Sequence, residues 1–426
     1  MKRLLLLFAL FSITFLNINA QIIWQNTIGG SAFDYMEDVI STSDGGFLLV
    51  GSSESDISGD KTENSNGAGD YWVVKTNSLG VVQWDKTFGG SGEDEAVSAI
   101  ETSDGGFVII GDSNSNMSGD KSENSKGDYD FWIVKINSSG TKVWDKTFGG
   151  SNYDFSFSIR ETSTNDLIIA GDSGSNISGN KSENSRGFSD LWIIKISSTG
   201  TFIWDKTLGG DADEELTDMN LTPDGGYILA ATAESNISGD KTVSTSDNEE
   251  YWVVKISNTN TIDWQKAYGG TPSSISLISD LIPTSDGGYL LAGDSDSGIG
   301  GNKTENTNGG TDLWFIKINS SGTIIWQNTV GGSDDEYVAY GIQKPDGGYV
   351  FAAESLSNIS GDKTENSMDS DIWLIELDAN GNVIADKTFG TISEEYPERL
   401  LQTSDGNFII ASNVDSLSGD NTEAPM

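Results

Sequence analysis

The stretch Trp132-Ile133-Val134-Lys135-Ile136-Asn137-Ser138-Ser139-Gly140-Thr141-Lys142-Val143-Trp144-Asp145-Lys146-Thr147-Phe148-Gly149-Gly150 holds two short apolar runs around Asn137-Ser138-Ser139-Gly140. Asn opens a type I turn, and Gly accepts the positive φ that sends the chain back. The stretch reads as a β-hairpin. If the Gly forms the usual bulge after such a turn, Trp132 and Trp144 fall on one face of it, about one diagonal step apart.

The hairpin recurs around Trp72/Trp84, Trp192/Trp204, Trp252/Trp264 and Trp314/Trp326, and Trp373 faces Ala385 in another copy. With Trp24 these positions account for all 12 tryptophans, and the outer one recurs at 24, 84, 144, 204, 264 and 326, a period of 60 residues with one insertion of two. A residue confined to two repeat positions is there to pack. A second marker keeps the same beat: Asp-Gly-Gly at Asp44, Asp104, Asp224, Asp286 and Asp346. It becomes Thr164-Asn165-Asp166 in copy three and Ser404-Asp405-Gly406-Asn407 in copy seven.

One copy reads as four strands. Glu95 to Thr102 (A) ends in the turn Ser103-Asp104-Gly105-Gly106. Phe107 to Gly111 (B) is apolar enough for a sheet covered on both faces. The long loop Asp112 to Asp130 then leads into the two hairpin strands (C and D). About 400 residues exceed what one growing core supports, and a repeat solves this with many small cores between units. The expected fold is all-β: a seven-bladed β-propeller of four-stranded antiparallel blades. Its last blade is expected to be incomplete at the C-terminus and closed by the N-terminal strand Ile22-Ile23-Trp24-Gln25-Asn26-Thr27, laid beside Phe408-Ile409-Ile410. An open β-solenoid, which needs shorter coils, is the runner-up.

The pattern Trp-x-Lys-Thr-Phe-Gly-Gly-Ser, Thr-Ser-Asp-Gly-Gly-Phe and Asp-x-Trp-x-x-Lys resembles the sixty-residue propeller-type repeats of secreted Bacteroidota proteins, over residues 22 to 423. The resemblance implies the propeller fold and an exported protein. Some such proteins bear an endoglucanase-like label, and many carry a C-terminal sorting domain for type IX secretion. No such domain is visible before Met426. The resemblance transfers no catalytic motif.

Residues 1–20 have the layout of a cleaved secretory signal: Met1-Lys2-Arg3, an apolar run from Leu4 to Leu16, and a polar stretch ending at Ala20. Residues 21–426 are then one propeller domain, secreted to the cell surface or beyond. The absence of Cys and His excludes disulfides, thiolate sites, His-based triads and the usual zinc and copper centres. With 24 Lys+Arg against 65 Asp+Glu, the net charge of -41 repels phosphate backbones and anionic membrane surfaces, so neither nucleic acid nor membrane insertion is expected. The sequence does not fix the oligomeric state.

The charge concentrates in the long B–C loops. Each carries a motif such as Ser118-Gly119-Asp120-Lys121-Ser122-Glu123-Asn124 and ends at an acid just before the C strand. Asp60, Glu63 and Asp70, Asp120, Glu123 and Asp130, and Asp362, Glu365 and Asp371 are therefore candidate oxygen ligands for a hard cation such as Ca²⁺. The competing reading is that they cap turns while Lys121 pairs with a neighbouring acid. No cofactor is required by any motif, and no catalytic residue is assigned. An acid present in every blade ties its loop to its strand more readily than it catalyses, whereas glycoside hydrolysis needs one asymmetric carboxylate pair. Glu249-Glu250 and Glu394-Glu395 are the non-repeating acids. The functional expectation is a non-enzymatic binding or adhesion scaffold for a glycan or surface protein, acting through the acidic long-loop face. A carboxylate-based glycoside hydrolase and a purely structural surface protein are the alternatives.

Overall fold

The structure, a computed structural model, describes residues 3–10, 21–245, 247–337, 340–390, 394–403 and 405–414. Blade two shows the unit, with strands A to D at Asp94–Glu101, Phe107–Ser113, Asp130–Ile136 and Lys142–Phe148 in one antiparallel sheet. Strands B and C are buried at every residue because neighbouring blades cover both faces, which is why they read as unbroken apolar runs. The A strands of successive blades touch one another around a closed ring, so they line the central axis.

Six blades, not seven, follow the repeat in this way, beginning at Asp34, Asp94, Asp154, Glu214, Ser276 and Glu336. This corrects the expectation of seven such blades with an incomplete last one. The remaining sheet is a composite of the two chain ends, in the order Gln21–Ile28, Arg3–Leu10, Phe408–Val414, Glu395–Gln402. The N-terminal strand joins it, but not beside Phe408-Ile409-Ile410 as expected. Copy seven supplies only its A and B strands among the described residues, so Arg3–Leu10 lies between and pairs with both neighbours. Without a strand there, two facing rows of backbone donors and acceptors would lack partners. The signal expected at residues 1–20 falls partly on residues 1–2 and 11–20, which lie outside the described residues, as do residues 415–426.

The composite sheet is locked to blade one by a device the other blades also use. Asp112 on strand B of blade two accepts the Ser156 N–H of blade three at 2.7 Å, and Asp172 accepts that of Leu216 at 2.7 Å. At the seam Asn413 does both jobs, accepting from Met36 N–H at 3.0 Å and donating to its carbonyl at 2.9 Å.

The tryptophans pack between blades, but Trp132 and Trp144 do not share a face. Trp132 pairs with Thr147 and Trp144 with Lys135, and a second irregularity between Lys142 and Trp144 adds a half-turn to the strand. Trp132 therefore enters the core shared with blade one and Trp144 the core shared with blade three. Trp144 sits under the next hairpin turn, donating its indole N–H to Ser198 O at 3.3 Å. That turn has to come close: a Cβ on Gly200, at φ 77°, would lie 3.3 Å from the Trp144 ring.

Candidate functional site

The loop acids of the sequence reading lie where expected on the long-loop face, but each has its own task. Asp60 and Asp362 accept the backbone N–H of Gly29 and Gly331 at 3.1 and 3.2 Å, clasping the preceding blade. Asp120 accepts from the Asn66 amide at 3.1 Å. Glu63, Glu123 and Glu365 accept the N–H of Thr87, Thr147 and Thr388 at 2.9 to 3.0 Å while pairing with Lys86, Lys146 and Lys387. Asp70, Asp130 and Asp371 accept N–H groups of Asn66, Lys126 and Met368 and so tie each loop to its C strand. Among the described residues no three acidic side chains converge on one point. Because each of these carboxylates already accepts at least one N–H and the glutamates also pair with lysines, and no three of them converge, Ca²⁺ and Mg²⁺ at matched ionic strength are expected to raise the melting temperature equally, through screening. A shift specific to Ca²⁺ that disappears in Asp120→Asn with Glu123→Gln would establish a loop metal site.

The loop lysine is the surprise. Among the described residues Lys121 forms no ion pair; it is buried, donates to Ser113 and Ser125 at 2.6 and 3.1 Å, and lies 5.7 Å from the Trp132 ring centroid. Lys61, Lys181, Lys303 and Lys363 stand over Trp72, Trp192, Trp314 and Trp373 in the same way. Burial pulls Lys121, Lys181, Lys303 and Lys363 down to about 8. Around them runs a belt of buried acids, some opening the C strands, as Asp70, Asp130, Asp190 and Asp312 do, and some the A strands. At the start of strand A, Asp34, Asp94, Asp154, Glu214 and Glu336 each accept the N–H of the second Gly of the preceding Gly-Gly at 2.7 Å. Blade five has Ser276 instead, and the divergent loop of blade four restores the contact by placing Asp247 2.7 Å from Gly270 N.

The central channel departs from the repeat. Its pocket of ≈ 350 Å³ is walled by A strands and carries residues with no counterpart in other copies, notably Arg160, Tyr340 and Arg399. Arg399 pairs with Asp38 at 3.0 Å across the seam and stacks 4.8 Å from the Tyr340 ring centroid. Asp38 also accepts from Ser98 at 2.9 Å, Asp280 accepts Gly341 N–H at 2.8 Å, and Arg160 pairs with Asp218 at 2.9 Å. These bonds lace the A strands together. Burial, then Asp218, lifts Asp280 to about 7. Glu37 is crowded by the channel walls and then by Glu398, Glu95 and Asp38, which push it to about 8.

At the long-loop end the channel mouth is aromatic and acidic. Phe155 lies between Tyr153 and Tyr129, with ring centroids 5.5 and 5.7 Å away, and the Tyr129 hydroxyl donates to Glu93. Phe33 stacks on Tyr35 at 6.3 Å on the blade-one side. The sequence reading missed this mouth because it followed what repeats. Aligning the copies and marking what does not repeat would have found it: Tyr129, Tyr153 and Phe155 fall where the preceding copy has Gly69, Glu93 and Glu95.

Outside the channel, the same face carries one aliphatic side chain per blade. Ile57, Met117, Ile177, Ile237, Ile299 and Ile359 are 59% to 67% exposed. Five of their backbone N–H groups are held by Asn64, Asn124, Asn184, Asn306 and Asn366 at 2.9 to 3.0 Å, so these tips are fixed.

No family model and no curated protein matches the chain. Among solved structures it is similar to the Pan2 WD40 domain of Neurospora crassa, at 10% identity over 91% of each chain with a TM-score of 0.46. It is also similar to a Dyadobacter fermentans protein of unknown function, at 11% identity over 91% of this chain and 96% of that one, TM-score 0.44. BamB from Moraxella catarrhalis matches at 12% identity over 92% and 89%, TM-score 0.41. Likenesses this distant carry no functional argument, and the propeller assignment stands on the sheets themselves.

Proposed function

We propose that the chain is a secreted, non-enzymatic scaffold that binds a glycan at the channel mouth on its long-loop face. The observation that carries this reading is the Tyr129–Phe155–Tyr153 cluster beside Glu93: ring faces for sugar C–H surfaces next to carboxylates that accept hydroxyl protons. The channel acids support binding over chemistry, since Asp38, Asp218 and Asp280 are engaged by Arg399, Arg160 and Gly341. The resemblance to secreted Bacteroidota repeat proteins supports export.

The test is a glycan-array screen of the chain with reducing-sugar release measured in parallel. Binding without release is expected, and Tyr153→Ala with Phe155→Ala should weaken it about tenfold or more with little change in melting temperature. Release of sugar that stops in Glu37→Gln would replace this reading with a hydrolase. An array blank at all glycans would favour the second reading, a protein partner seated on the ring of exposed aliphatic residues. In that case changing Ile57, Ile177 and Ile299 to Ser should abolish attachment to cell envelopes and leave the fold intact.

A further inference from the structure

We infer that the cleft at the seam of the propeller, on the face opposite the long loops, binds a small organic cation: a primary ammonium carried on a short apolar stem. The cleft lies between the A–B turn of the composite sheet and blade one, and its volume of ≈ 610 Å³ is that of a small-molecule site.

The six repeat blades show what this place ordinarily holds. In blades one to five a C-strand lysine reaches an acid of the A–B turn at 2.7 to 3.0 Å, as Lys75–Asp44, Lys135–Asp104, Lys195–Asp166, Lys255–Asp224 and Lys317–Asp286. Blade six inverts the pair, with Lys344 in the turn and Glu376 on strand C. An ammonium is present every time. Lys317 adds bonds to Thr284 Oγ1 at 2.9 Å and to Ile318 O at 3.1 Å.

The composite sheet keeps the turn and lacks the lysine. Thr403 donates to Asp405 and, at 3.1 Å, to Asn407 O, as Thr102 donates to Asp104 and to Gly106 O at 2.7 and 3.0 Å. The Asn407 amide donates to the other Asp405 oxygen at 2.9 Å. Both donors are neutral, and among the described residues no Lys or Arg pairs with Asp405, so its charge is left uncompensated. Phe8 stands opposite Ile409, the register position that Lys135 holds opposite Val108. Removal of residues 1–20 would not supply a lysine there. Each oxygen of a carboxylate accepts two hydrogen bonds, so exposed Asp405 can take an ammonium as well as its present donors.

A second omission opens the cleft. At the matching junction of blades two and three, Glu161 at the end of strand A accepts Ser103 N–H and Oγ–H at 2.8 and 3.0 Å, and the space beside it is only ≈ 130 Å³. Glu101 closes over Ser43 in the same way. Blade one ends its A strand with Ser41, which is too short to cross. Trp24, Phe47 and Leu79 give the opened cleft an apolar wall, and Leu79 is 62% exposed. A lone carboxylate beside an apolar wall complements an amine on an alkyl stem, the group that blades one to five supply from their own C strands.

A chain of charge -41 attracts every cation, so the experiment separates the cleft from bulk charge. The chain is titrated with pentylamine at about 0.15 M salt, and binding is read by saturation-transfer NMR. Pentanol, with the same stem and no charge, should bind about tenfold more weakly or worse, and Asp405→Asn should cost pentylamine about tenfold. Ser41→Glu should abolish binding with the melting temperature unchanged or raised, which shows that the variant is folded. Asp56→Asn removes an equal charge on the other face and should change nothing. Equal losses in Asp405→Asn and Asp56→Asn, full binding in Ser41→Glu, equal binding of pentanol, or no binding of pentylamine would each overturn the site.

Discussion

Trp132→Ala and Trp192→Ala are each expected to destabilise the protein by about 3 to 5 kcal/mol. Both indoles are 0% exposed, and each is gripped from three directions. Trp132 packs against Tyr71 of the neighbouring blade in a tilted pair with ring centroids 4.7 Å apart, donates to Asp145 at 3.2 Å, and carries the Lys121 ammonium 5.7 Å from its ring. Trp192 repeats this with Phe131 at 4.8 Å, Asp205 at 3.1 Å and Lys181 at 5.6 Å. Truncation opens a cavity between two rigid sheets and leaves a buried lysine without its aromatic face. Trp144→Ala should cost less, because that ring is only partly buried. Urea melts of the three variants give the comparison. Unchanged stability in Trp132→Ala, or a larger loss in Trp144→Ala, would contradict the packing assigned to these rings.

The sequence made the architecture legible because a propeller repeats its constraints. Buried B and C strands must be apolar, the A–B turn needs Gly at positive φ, and the two Trp of each interface recur at a fixed spacing. Periodicity also pointed to the long-loop face, and it offered Asp70 and Asp130 both as cation ligands and as ties between loop and strand. Four features escaped it for physical reasons. The faces of Trp132 and Trp144 depend on an extra bulge between Lys142 and Trp144, and a one-residue slip turns every later side chain over. The burial of Lys121 was hidden because lysine in a polar loop reads as solvated, although its Ser and Trp partners lie on strands B and C. The composite sheet could not be read because its third strand comes from a segment whose composition says leader. The channel mouth was missed for the opposite reason: its residues are those in which the copies differ.

The buried belt predicts an unusual dependence of stability on pH. Burial lifts Asp70, Asp154 and Asp312 to about 6 and Glu214 to about 7. For an acid whose pKa is higher folded than unfolded, the stabilising contribution is full below its ordinary value near 4. It is lost as the pH rises through 6 to 7, because the folded state then has to hold a charge it disfavours. The turn aspartates act the other way. Asp44, Asp104, Asp224 and Asp286 are held at about 2: a Thr hydroxyl bond leads for Asp44 and Asp224, and Thr and Lys bonds outweigh desolvation for Asp104 and Asp286. Their contribution is present above 4 and lost as the pH falls through 2. The melting temperature should therefore rise as the pH is lowered from 8 to about 5 and collapse below 3. The easing of repulsion in a chain of charge -41 adds in the same direction over the upper part of that range. Asp312→Asn separates the belt from bulk charge. Its carboxyl is 0% exposed and accepts the Asn308 N–H at 2.5 Å, a bond that an amide oxygen can keep. Removing a buried charge there should stabilise the protein by about 2 to 3 kcal/mol at pH 8, by roughly half of that at pH 5 and by little at pH 4 and below. An exposed control such as Asp56→Asn should move the curve hardly at all. A melting temperature flat between pH 5 and 8, or equal responses of Asp312→Asn and Asp56→Asn, would mean that the belt carboxylates are fully solvated or fully paired, and the strain assigned to them would have no basis.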